Sequence, residues 1–94
     1  MTPVQIEANF PVTIFREGKD FIAYTPALDL STVGKTHAEV RERFQEAVTL
    51  FLEELIKHGT LDDVLTSLGW KQHQKEWSPP VFVSHEVRTL RIPA

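Results

Sequence analysis

The sequence predicts a small α+β domain, an antiparallel sheet of short strands with one main helix packed on one face, in the order β-β-β-α-(short α)-β. Three observations carry that expectation. Val4, Ile6, Ala8, Phe10, Val12 and Ile14 alternate with Gln5, Glu7, Asn9, Pro11 and Thr13, the period-two pattern of a half-buried strand. Thr36 and Glu39 stand in the Thr-x-x-Glu spacing of a capping box, directly ahead of a run with helical apolar spacing. Val81 to Ile92 is again rich in strand-forming residues.

Taken in order, the first strand carries Pro11, which cannot donate a ladder hydrogen bond and places that strand at an edge or at a bulge. Glu17-Gly18-Lys19-Asp20 reads as a hairpin turn, with Gly18 taking the positive φ that other residues resist. Phe21 to Thr25 is the second strand, stopped by Pro26, and Leu28 to Val33 is a short third strand leading to Gly34.

The main helix begins at about His37. At roughly 100° per residue, Val40, Phe44, Ala47, Val48, Phe51 and Leu55 fall within about one third of the circumference, with Leu52 at the border. Glu42, Glu46, Glu53 and their polar neighbours take the other side. Gly59 stands where a left-handed residue ends a helix. Leu50 and Ile56 point off the stripe and need another partner, the second helix being preferred over another chain.

Thr60-Leu61-Asp62-Asp63 offers a second capping box, and Leu61, Val64, Leu65 and Leu68 make a short amphipathic helix ended by Gly69. Trp70 follows as a core residue. Residues 71–80, KQHQKEWSPP, are polar and end in two prolines, so they are expected to form a linker, with Trp77 as its anchor. In the final strand Val81, Val83 and Val87 share one parity while Leu90 and Ile92 share the other, so a bulge near Arg88-Thr89 or two different neighbours is required. The expected organisation is one domain over residues 1–94, with a core at 4–70, a linker at 71–80 and a C-terminal strand at 81–92.

Composition narrows the chemistry. Ninety-four residues suit one core, and the lack of cysteine excludes a disulfide framework, a thiol nucleophile and thiolate metal sites. The N-terminus does not read as a signal peptide and no apolar run has the length of a membrane span, so a cytoplasmic protein is expected. Ten basic and thirteen acidic residues give a net charge of −3, which argues against direct nucleic-acid binding. The charge is unevenly spread: Thr36 to Asp63 holds seven acids and three bases, whereas Lys71 to Ala94 holds four bases and two acids.

Two-metal hydrolysis needs several converging carboxylates, and the sheet region offers only Glu7, Glu17, Asp20 and Asp29, without a spacing that puts a pair on one face. The four histidines, His37, His58, His73 and His85, form no i,i+4 pair and no H-E-x-x-H arrangement. No catalytic residue, metal site or cofactor is therefore assigned.

The ordered set AYTPAL at Ala23–Leu28, GKT at Gly34–Thr36 and EAV…FLEEL at Glu46–Leu55 resembles the HicB-like antitoxin family of bacterial type II toxin–antitoxin systems. The likeness is closest over Phe21–Trp70. Leu28-Asp29-Leu30-Ser31 departs from the family's usual Leu-Pro-Gly-Cys-like turn, and Val40 stands where alanine is common. The resemblance implies a partial RNase H-like α+β fold, and as partner a HicA-type toxin, a small basic RNA-cleaving protein. It implies no catalysis by this chain. The likeness is to a short form of the family, for which no ribbon-helix-helix or helix-turn-helix module is expected.

The expected role is neutralisation of such a toxin by occluding its active surface. Asp29, Glu42, Glu46, Leu50, Ile56 and Trp77 are the candidate partner-interface residues. The blander reading of the helix carboxylates is a solvated face. A solitary self-associating domain with an unknown ligand or protein is the alternative role, and a metal-dependent nuclease is a third. A homodimer or higher homo-oligomer is expected under either of the first two, because an uncovered first strand offers unpaired backbone groups.

Overall fold

Alternation and turn chemistry set the sheet. A computed structural model of the chain describes residues 8–93. Strands β1 (Thr13–Glu17), β2 (Asp20–Thr25) and β3 (Leu30–Gly34) form an antiparallel sheet in the order β1-β2-β3. Gly18, at φ +62°, makes the tight turn between the first two strands. The register opposes Ile14 to Ala23 and Ala23 to Thr32, so these residues share one face. Phe15, Ile22 and Val33 oppose one another on the other face.

The β2–β3 turn is closed by side chains rather than by glycine. Thr25 is fully buried, and its hydroxyl accepts the Ala27 amide proton at 3.2 Å. Asp29 holds a positive φ of 48°, a conformation that aspartate tolerates better than most residues. The start of the first strand differs from expectation. Residues 8–12 are not in a strand, consistent with Pro11 giving the ladder no amide proton, and Val4, Ile6 and Glu7 lie outside the described residues.

Helix α1 (His37–Lys57) runs over β3 and β2. Thr36 caps it, its hydroxyl accepting the Glu39 amide proton at 3.0 Å. Only half of the capping box forms, because the Glu39 carboxylate pairs with Arg43 at 2.8 Å. Thr36→Ala is expected to cost about 1 kcal/mol, read as a lower urea midpoint at unchanged slope, while Thr36→Ser stays near the parent.

Both helix ends close in the same way. At the end of α1 the Thr60 amide donates to the Leu55 carbonyl at 2.9 Å and the Gly59 amide to Ile56 at 3.1 Å, with Gly59 at φ +67°. Helix α2 (Leu61–Ser67) repeats this with Trp70 donating to Leu65 at 2.9 Å, Gly69 donating to Thr66 at 3.1 Å, and Gly69 at φ +91°. The expected second capping box is not formed: Thr60 makes no side-chain cap bond, and its hydroxyl donates back to the Leu55 carbonyl at 3.5 Å.

Two packed clusters result. Val40 and Phe44 press on Ala23, while Ala27, Leu28, Leu61, Leu65, Trp70 and Trp77 gather beneath the second half of α1. Phe10 and Val48 belong to both. The stripe predicted for the helix is the face that packs.

Two parts of the C-terminal third depart from expectation. The linker at 71–80 is in fact a hairpin, β4 (Lys71–His73) and β5 (Glu76–Ser78), turning through Gln74 at φ 60°. A lone two-stranded hairpin is marginal in water, and here Trp77 anchors it by inserting into the core. The C-terminal strand at 81–92 is absent. Those residues pair with no strand, and strand propensity without a neighbour does not make a sheet.

Candidate interaction surface

The outward face of α1 collects the acids. Glu42, Glu46 and Leu50 follow one another at i,i+4 spacing and line a shallow depression with Gln45, Thr49 and Glu53. Leu50 is 62% exposed and Ile56 is 43% exposed, so neither packs away against α2 as preferred from the sequence. The reason is geometric. Helix α2 lies under the Phe51–Leu55 side of α1, where Leu61 and Leu65 are already occupied in the core. On the helical wheel Leu50 and Ile56 stand on opposite margins of the acidic strip, leaving a negative surface with an apolar residue at each side.

The structure thus brings four of the six candidates, Glu42, Glu46, Leu50 and Ile56, onto one exposed helix. Asp29 lies apart, in the β2–β3 turn, where its carboxylate accepts the Tyr24 hydroxyl proton at 3.1 Å. Trp77 is a correction. It is 8% exposed and belongs to the core, because the hairpin turns its single large apolar side chain inward.

The Tyr24–Asp29 pair has a measurable consequence. The hydrogen bond to Asp29, then partial desolvation and the nearby negative charge, raise the Tyr24 pKa above its ordinary value. A raised folded-state pKa means that the stabilisation is complete below the unfolded tyrosine pKa and is lost as pH rises through the folded one. Tyr24 is the only tyrosine, so tyrosinate absorbance reads it alone. Asp29→Ala is expected to move that midpoint down; an unchanged midpoint would show that the contact does not form in solution.

The remaining sheet acids do not converge. Asp20 pairs with Lys35 at 3.2 Å, tying the β1–β2 turn to the entry of α1. Among the described residues no three histidine, aspartate or glutamate side chains come together as a metal-binding group. No helix among them is long and apolar enough to cross a membrane.

Sequence reasoning missed one surface. Phe15, Ile22 and Val33 lie in a cross-strand row on the sheet face away from α1, with Phe15 and Val33 each 44% exposed. The signal was in β2, where Phe21 and Ala23 on one parity and Ile22 and Tyr24 on the other leave neither face polar. Compared with protein-family models, with curated proteins and with solved structures, the chain finds no match.

Proposed function

We propose that this chain is an antitoxin-like binding protein of the HicB type. It docks on a small, basic, HicA-type RNA-cleaving toxin and occludes the toxin's active surface, with no chemistry of its own. The observation that carries the reading is the outward face of α1, where Glu42 and Glu46 form a negative strip with Leu50 and Ile56 uncovered at its margins. Complementary charge across an interface raises the association rate and rejects wrong partners, while the apolar margins gain from leaving water. The element order over residues 13–70 fits the resemblance carried by AYTPAL, GKT and EAV…FLEEL.

Coexpression with a toxin of this class, taken from the neighbouring reading frame, is expected to restore growth. Glu42→Lys with Glu46→Lys is expected to slow association by roughly tenfold or more at low salt and to weaken rescue. Asp63→Lys on α2 serves as the charge control and leaves rescue intact. Failure of the parent chain to bind or rescue removes the antitoxin role.

The second reading is a solitary self-associating domain, favoured by the apolar residues that the single chain leaves uncovered after Pro80. An unrelated neighbouring reading frame supports it. Self-association into a homodimer or larger assembly belongs to both readings.

A further inference from the structure

Among the described residues the most exposed apolar stretch is the C-terminal arm. Val81, Val83, Val87, Leu90 and Ile92 are 88%, 92%, 95%, 76% and 83% exposed, which is far beyond the scattered surface residues of an ordinary domain. The radius of gyration, 15.7 Å, exceeds the roughly 12 Å of a compact chain of this length. Fully extended, the twelve residues from Val81 to Ile92 reach roughly 40 Å.

An acceptor for such an arm exists on the same fold. Among the described residues β1 and β3 are the two sheet edges, and they are not equivalent. The Arg43 guanidinium donates to the Val33 carbonyl at 3.3 Å and blunts the β3 edge. Among the described residues no side chain hydrogen-bonds the backbone of β1. Because α1 covers β3 and β2, an open groove of about 970 Å³ remains beside β1, floored by Phe10, Val12, Ile14, Phe44 and Val48.

We propose that two copies of this chain exchange C-terminal arms. The distal half, Val87 to Ile92, adds as a strand to the free β1 edge of the second copy and sets Leu90 and Ile92 into its groove. This inference deepens the self-association expected above, and it does not depend on which partner the acidic helix face takes.

The place where the arm starts favours a second copy over the arm's own body. Pro79, Pro80, Val81 and Phe82 share a depression with Asn9, Phe10 and Pro11, so the arm starts beside the beginning of its own β1. Folding back from there would lay it parallel to β1, the weaker pairing, whereas a second copy related by a two-fold axis can offer its β1 antiparallel. The proximal half keeps Phe82, 42% exposed, beside its own Phe10 and Pro11, which leaves Leu90 and Ile92 of the distal half to turn toward a partner.

The chain contains no cysteine, so a designed pair reports the contact directly. One full-length chain carries Val12→Cys and another carries Leu90→Cys. On mixing and mild oxidation, a covalent heterodimer is expected, well above the homodimer that either forms alone. In sedimentation equilibrium the parent is expected to be a dimer. Leu90→Glu with Ile92→Glu, both at exposed positions, is expected to weaken it on the order of a hundredfold while leaving the circular dichroism of the folded domain unchanged. A dimer that survives these arm substitutions, or the absence of the heterodisulfide, overturns the exchange and leaves self-association standing. A parent that stays monomeric overturns both; closure of the disulfide only within a single chain carrying both cysteines overturns the exchange alone.

Discussion

Trp70→Ala is expected to unfold this domain or bring it to the verge of unfolding. Trp70 is 3% exposed, its indole N–H donates to the Ala27 carbonyl at 2.7 Å, and its ring meets Phe10 edge-on with centroids 6.0 Å apart. One side chain therefore joins the end of α2, the β2–β3 turn and the segment before β1. Its position is fixed locally by the backbone bond to Leu65 that closes α2. Truncating a buried tryptophan costs about 3–5 kcal/mol, and domains of this size have about 5–15 kcal/mol in all. The thermal midpoint should fall by tens of degrees, at roughly 4–8 °C per kcal/mol, if a cooperative transition survives. Trp70→Phe keeps most of the packing and leaves the Ala27 carbonyl without its donor, a loss of about 1–2 kcal/mol. Equal losses from the two variants would contradict the division between packing and hydrogen bond.

Gly34→Ala is expected to be nearly as damaging, for a steric reason. A Cβ built at Gly34 would stand 2.7 Å from the Val40 nitrogen, 2.8 Å from its Cα and 3.0 Å from its Cβ. The obstacle is helix backbone, so α1 must lift away from β3 to admit one methyl group. Overpacking costs about 1–3 kcal/mol, and a rigid neighbour puts this substitution at or above the upper figure. Val40→Ala added to Gly34→Ala should give no rescue in urea unfolding, because alanine keeps all three offending atoms. Recovery of stability in the double variant would mean that α1 and β3 are not in this contact.

The part of the molecule held by repeated apolar spacing was legible in the sequence. Thr36, the stripe from Val40 to Leu55, and the glycines at 59 and 69 each state a local rule that the packing then obeys. β1 was readable only in part, because alternation persists through residues 8–12 even where no neighbour takes up the pairing. The hairpin at Lys71–Ser78 left no trace, since a single inward side chain, Trp77, makes no period and Gln74-Lys75 is not a strong turn pair. For the same reason Trp77 read as a surface anchor when it is a core residue. The arm after Pro80 shows the reverse case, with strand composition and no strand. Among the described residues no strand stands beside it.

The candidate surface divides along the same line. Glu42 and Glu46 could be placed on one helix face from spacing alone, and so could the margins held by Leu50 and Ile56. Whether those two apolar residues were covered depended on where α2 docks, which no local pattern encodes. Asp29 reads in the sequence as a candidate interface acid, yet its positive φ and its bond to Tyr24 make it first a turn residue.

Amide chemical-shift mapping of the full-length chain, titrated with a small basic ribonuclease toxin of the HicA class, bears on the proposed role with the fewest intermediate assumptions. The acidic face of α1 is expected to respond first, with the largest shifts at Glu42, Glu46, Leu50 and Ile56. Shifts confined to Phe15, Ile22 and Val33 on the opposite sheet face, or no shifts at saturating toxin, would contradict it.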